Sequence, residues 1–191
     1  GAAQIGALAT EYATLEELAL LGRVARGLGS DNIDARLYQT DAKLDAALTG
    51  APWLGMPIAA LDTLDRVLVV GSFLRKDHPL MAQRLRQAAK RGTQISAIDT
   101  AGDDPLLKLT ARATVLPTAL AQTLAQVLVA LAKVKGADVP AALSGVQADA
   151  TAQQIAQSLA SGERVAVLLG NTAVNAPDAT QLASLAQSIA Q

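Results

Sequence analysis

Two uninterrupted apolar runs constrain this chain more than any other feature. They are Arg66-Val67-Leu68-Val69-Val70-Gly71 and Arg164-Val165-Ala166-Val167-Leu168-Leu169-Gly170. Neither alternates apolar with polar residues, so neither suits a sheet with one wet face. Short β-branched runs of this kind belong to parallel strands covered by helices on both faces. Each run ends in Gly followed by a small polar residue, Ser72 or Asn171, then a short connection and a helix opened by Pro, at Pro79 and Pro177. A duplicated strand–Gly–connection–Pro-helix module predicts an α/β fold: a doubly wound, mostly parallel sheet with helices on both faces. Its two halves would face a shared crevice at the strand carboxyl ends.

The remaining elements fall around these runs. Residues 4–8 read as a strand. Thr14-Leu15-Glu16-Glu17 has the form of a capping box, in which hydroxyl and carboxylate satisfy each other's backbone amides. Leu15, Leu18, Leu21 and Val24 or Ala25 follow at helical spacing, with Gly27 and Gly29 as stops. A short strand is expected over 32–37, a surface loop over 41–57, and a short helix from Pro57 to Leu61. After the first run, 72–77 reads as a loop and Pro79 opens a helix whose inner face is Leu80, Ala82, Leu85, Ala88 and Ala89. Arg84, Arg86, Lys90 and Arg91 face water, and Gly92 ends the helix. Strands at 94–98 and 113–116, helices at 118–133, 140–143 and 151–160, and a last helix from Pro177 complete the pattern. Gly1 is set aside as a tag remnant. Residues 2–191 read as a single α/β domain cut from a longer chain, with approximate halves 2–110 and 111–191.

Composition narrows the chemistry. The 191 residues carry a formal net charge of −1, so no global field draws the chain to nucleic acid, and no apolar run is long enough to suggest membrane insertion. Cysteine is absent and histidine occurs once, as His78, which removes disulfides, zinc–thiolate sites and cysteine-held iron–sulfur clusters from this stretch. Aromatic residues make up 2%, too few for base-stacking platforms. No GxGxxG follows a strand and GxxxxGK[ST] is missing. Gly71-Ser72 and Gly170-Asn171 would admit a ligand to backbone amides, or simply let the chain turn sharply. Asp99 would accept a ribose hydroxyl or cap a loop. His78 reads as an acid–base group or a solvated cap, Arg75-Lys76 as a phosphate grip or free cations, and Asp103-Asp104 as a metal site or a turn before Pro105. No nucleophile, base and oxyanion donor assemble, so no catalytic residue and no metal ligand are expected.

Family resemblance enters with the stretch from Val67-Leu68-Val69-Val70-Gly71-Ser72 through His78-Pro79, the Arg84–Arg91 turns, Gly92 and Ile98-Asp99. It resembles the molybdopterin oxidoreductase family, with its Rossmann-type sheet. There a strand ends in Gly-Ser-Asn, His-Pro opens a helix, and the next strand ends in Ile-Asp-Pro-Arg. Thr10–Glu17 and Leu28–Asp34 are similar to that family's approach segment. Gly71–Pro79, with Trp53-Leu54-Gly55-Met56 and Leu168-Leu169-Gly170-Asn171, looks more closely like the branch that serves as the large iron–sulfur subunit of bacterial NADH-quinone oxidoreductase, respiratory complex I. Two departures matter: Phe73 replaces the Asn after Gly-Ser, and Thr100-Ala101 replace the Pro-Arg after Ile-Asp. An apolar ring takes the place of an amide, and a phosphate-forking Arg is lost.

The resemblance therefore implies an inherited structural scaffold: a non-catalytic domain of an iron–sulfur electron-transfer subunit that supports electron transfer from NADH to quinone. No cofactor is expected in this fragment, and the crevice of Gly71, Ser72, Phe73, Asp99, Gly170 and Asn171 is expected to be vestigial. The parent chain would carry iron–sulfur clusters. Implied partners are other subunits of the peripheral arm, on the cytoplasmic side of the bacterial inner membrane, with no nucleic acid. The competing expectation is a pterin- or nucleotide-binding domain of a molybdopterin-dependent oxidoreductase, with the same crevice open.

Overall fold

The computed structural model describes residues 1–10, 12–35, 40–47 and 53–191. The chain divides into two compact units, Gly1–Gln39 and Thr40–Gln191, a boundary that does not coincide with the expected halves.

In the first unit, a 3-10 turn at Ala2–Gln4 precedes β1 (Ala7–Leu8), α1 (Leu15–Gly27) and β2 (Ile33–Asp34). The strand expected from residue 4 starts later because Gln4 N–H closes the turn on the Gly1 carbonyl at 3.0 Å. β1 and β2 pair in parallel, with Ala7 opposite Ile33. Residues 36–37 of the expected 32–37 strand lie outside the described residues. The capping box forms: Glu17 N–H donates to Thr14 Oγ1 at 3.2 Å and Thr14 N–H to Glu17 Oε2 at 2.8 Å. The expected face is buried only in part: Leu15 is 79% exposed and Val24 51%, whereas Ala25, the alternative to Val24, is buried together with Gly22. Strands of two residues each cover only a narrow patch of α1, and small side chains fill it.

The second unit begins with α2 (Ala42–Ala47), where a loop was expected. Asp41 starts it by accepting the Lys43 amide at 3.0 Å, and it also accepts the Thr180 amide at 2.9 Å. A 3-10 helix at Ile58–Thr63, entered from Pro57, leads to β3 (Arg66–Val70). Next come α3 (Leu74–Asp77), α4 (Pro79–Lys90), β4 (Gln94–Asp99) and β5 (Ala111–Thr114). After a 3-10 turn at Pro117–Ala119 runs α5 (Leu120–Lys135), closed by Gly136 in the left-handed conformation at φ 66°. A 3-10 turn at Ala141–Leu143 precedes α6 (Ala150–Ala160), whose Ala152 amide donates to the Asp149 cap at 2.7 Å. β6 (Val165–Leu169), α7 (Asn171–Val174) and α8 (Ala179–Ala190) follow.

The two apolar runs become neighbours. β3 lies between β4 and β6 in a parallel sheet of order β5-β4-β3-β6, with Val67 opposite both Ile95 and Ala166. Successive side chains of β3 serve opposite cores, as a period of two requires. Leu68 and Val70 pack with Leu124, Ile155 and Leu182 from α5, α6 and α8. Val67 and Val69 pack with Leu61, Leu74 and Leu85 on the other face. Helices thus cover both faces of the sheet, as the unbroken apolar runs anticipated. Leu80 does not join them and is 80% exposed. Buried Leu85 sets the inward direction of α4, and at 100° per residue Leu80 stands roughly 140° round the helix from it. The stretch Pro117–Lys135 is 19 residues long with mean hydropathy 1.3, enough to cross a membrane by those measures, yet 61% of it is buried and α5 is the central core helix.

The amino ends of β3 and β6 are clamped. Asp65 accepts the Arg164 guanidinium at 3.0 Å, the Arg164 amide at 2.9 Å and the Glu163 amide at 3.2 Å. These bonds, the Arg164 side chain first, lower its pKa to about 2. Arg66 Nε donates to the Ser158 carbonyl at 3.0 Å and to Ser161 Oγ at 2.9 Å.

Candidate functional site

From β3 the chain proceeds to β4 on one side, while β6 lies on the other, so strand order reverses at the β3–β6 pair. Open α/β sheets present a crevice there, beyond the carboxyl ends. In this chain the two glycine turns meet in it. Gly71, at φ 62°, donates to the Ile98 carbonyl at 2.8 Å and accepts the Thr172 amide at 2.9 Å. A Cβ on Gly71 would stand 2.8 Å from the Ala173 nitrogen. Gly170 donates to the Val70 carbonyl at 2.8 Å. A Cβ there would collide with Ser72 Cβ and stand 2.7 Å from Ser72 Cα. Each turn lacks a side chain where the other turn's backbone comes closest.

Beside this contact lies a cavity of about 190 Å³, lined among others by Ser72, Phe73, Arg75, Asp99, Arg112 and Asn171. Four of the six crevice residues expected from the sequence, Ser72, Phe73, Asp99 and Asn171, do come together; Gly71 and Gly170 are not among the lining residues. Ser72 Oγ donates to Asp77 Oδ2 at 2.9 Å. Asp99 Oδ2 accepts a hydrogen bond from Arg112 Nε at 2.7 Å and stands in an ion pair with Nη2 of the same guanidinium at 2.6 Å. Its Oδ1 accepts Thr114 Oγ1–H at 3.0 Å and the Gly102 amide at 3.2 Å. The residues expected to form loops after both strands instead begin short helices, α3 and α7. α3 brings the Arg75 guanidinium carbon to 5.1 Å from the Phe73 ring centre, within cation–π range. Arg75 Nε is buried and, among the described residues, donates to no partner.

Arg112 was missed in the sequence. Its signal was a cation inside the short strand Ala111–Thr114, where β4 pairing places Thr114 opposite Asp99. His78 is exposed at the start of α4 and makes no capping bond through its side chain. Asp104 accepts the Leu106 amide at 2.8 Å, which makes its stretch a turn. Among the described residues no group of three or more His, Cys, Asp or Glu side chains is placed to hold a metal ion.

A family model for molybdopterin oxidoreductase matches residues 1–191. The chain belongs to the molybdopterin oxidoreductase family. Its mixed α/β architecture, with parallel strands and helices around them, agrees with that membership, which suggests an oxidoreductase. A comparison with curated proteins found no match. Within this molybdopterin oxidoreductase domain, the cavity-lining polar side chains that keep free hydrogen-bonding capacity, among the described residues, include Arg75, Asp103 and Asn171. They are the groups available to an incoming ligand. Asp99 is already saturated by its own chain.

Proposed function

We propose that this molybdopterin oxidoreductase domain is structural and non-catalytic, and belongs to the iron–sulfur electron-transfer subunit of an NADH:quinone oxidoreductase. Within the whole complex it supports electron transfer from NADH to quinone, held among peripheral-arm subunits on the cytoplasmic side of the membrane. The clusters themselves reside in another part of the polypeptide, since this chain has no cysteine.

One observation carries the reading: two polar groups of the crevice, Ser72 and Asp99, are engaged by the chain's own side chains and backbone. Asp99 is held by Arg112, Thr114 and Gly102, Ser72 by Asp77, and the two glycine turns by each other. The molybdopterin group of the family does not fit these residues. The cavity, at about 190 Å³, is smaller than the roughly 300–1,000 Å³ of ordinary small-molecule sites. Phe73 and Thr100-Ala101 stand where the resemblance leads one to seek an amide and a phosphate-binding Arg. The complex I assignment rests on the resemblance at Gly71–Pro79, Trp53–Met56 and Leu168–Asn171.

A second reading, binding of a pterin or nucleotide, is favoured by one feature: Arg75 lines the cavity with a buried, unpartnered Nε. Metal analysis of purified protein with a thermal-shift series in guanine nucleotides and NADH separates the two. The structural reading expects no bound molybdenum and an unchanged Tm. A saturable Tm increase with a guanine nucleotide would replace it with the second, because a ligand specific for the folded state stabilises it.

A further inference from the structure

The outward cations of α4 do not form one uniform wet face. Arg84 Nη1 pairs with Asp62 Oδ2 at 3.1 Å, and Arg91 Nη2 donates to the Asp62 carbonyl at 3.3 Å. Arg86 and Lys90 are left out. They stand four residues apart on one helix face, where like charges repel. The crossover from β4 to β5 then brings Lys108 beside them, and these cations line one open groove with Ala89, Leu106 and Leu107. Among the described residues no acidic side chain lines it, and Arg86, Lys90 and Lys108 make no ion pair. A chain of net charge −1 has concentrated unpaired positive charge at one place.

Leu106 adds an apolar element. It is 48% exposed and is the one non-glycine residue with positive φ among those described, at 53°. That conformation is costly for a leucine, and the Asp104 carboxylate on its amide holds it there.

We propose that this groove docks an acidic segment of a partner protein, with carboxylates on Arg86, Lys90 and Lys108 and an apolar side chain against Leu106 and Leu107. The occupant follows from complementarity. Cations without carboxylates call for an anionic partner, and the leucines call for an apolar residue between its charges. A bare phosphate would satisfy the cations only, and among the described residues no hydroxyl side chain lines the groove to receive it.

The test is fluorescence anisotropy with a labelled synthetic peptide of alternating glutamate and leucine. A lysine–leucine peptide serves as control and inorganic pyrophosphate as competitor. Binding of the acidic peptide is expected to weaken as salt rises. The Lys90→Glu/Lys108→Glu variant should lose about tenfold or more in affinity, since both charges then repel the peptide. Leu106→Gly separates docking from folding: glycine adopts positive φ freely, so Tm should hold or rise while affinity drops about threefold. No binding of the acidic peptide, equal binding of the lysine peptide, or unchanged affinity in the doubly reversed variant overturns the proposal. Full displacement of the peptide by pyrophosphate at equimolar concentration would also overturn it and make the groove a phosphate site.

Discussion

The two copies of the strand–Gly–helix module occupy adjacent places in one sheet, yet they are built to different ends. In the first, β3 leads through Gly71 into α3, where Phe73 and Arg75 wall a cavity. In the second, β6 leads through Gly170 to α7, whose buried Ala173 packs directly on Gly71. The first copy gives the cavity Ser72, Phe73 and Arg75, whereas the second gives it Asn171 and sets the small Ala173 and its backbone against Gly71. Two matching halves of sequence can therefore make one filled contact rather than a symmetrical ligand cradle. Residue size at the point of closest approach decides the outcome.

The glycine contact offers the most severe test of that asymmetry. Gly170→Val should destabilise the protein by about 3 kcal/mol, because the added side chain has Ser72 and the Gly71 carbonyl in its path. Urea unfolding gives the value. If the contact is as intimate as described, Ser72→Gly will recover part of the loss at the less demanding Gly170→Ala, a coupling measurable in a double-mutant cycle. Additivity there would mean the two turns are independent.

A smaller effect is expected at Asp99. Arg112→Met removes the hydrogen bond and ion pair to a largely shielded carboxylate and should cost about 2 kcal/mol. Combining it with Asp99→Asn should cost less than the sum of the two changes, since no charge is then left unpartnered. Simple additivity would show that the pair contributes nothing as a pair.

Both copies share the clamp at their amino ends, and acid tests it. The folded-state pKa of Asp65 lies near 2, below the ordinary value of 3.8. Stability from this group is present above 3.8 and is lost as pH falls toward 2, because the unfolded state takes up the proton first. Asp65→Asn should flatten the acid side of a Tm-against-pH curve over that window. An unaltered profile would dissociate the clamp from acid stability. The smallest effect is reserved for Leu80, where alanine should change stability by no more than about 0.5 kcal/mol because the side chain is already in water.

Much of this architecture was legible from local pattern. Unbroken apolar runs located the central strands, Thr14 and Glu17 marked a helix start, and Gly136 marked a helix end, since each signal acts within a few residues of itself. The crevice was half legible: Ser72, Phe73, Asp99 and Asn171 were expected together and do share a cavity, whereas Arg75 was read as a phosphate grip or free cation rather than as a neighbour of Phe73, and Arg112 was not singled out. The helix α2 was hidden because its start depends on one carboxylate that also bonds to Thr180, distant along the chain.

Residue order alone, then, specifies a parallel α/β sheet, its repeat and the ends of its principal helices, because hydrophobic period and capping are short-range. It took the folded chain to establish that Gly71 and Gly170 make room for each other and that Arg112 neutralises Asp99. The same holds for Asp62, which engages Arg84 and Arg91 and leaves Arg86 and Lys90 to the groove. Those outcomes depend on which groups arrive at the same few ångströms from far apart in the chain, and neither helical nor strand periodicity carries that information.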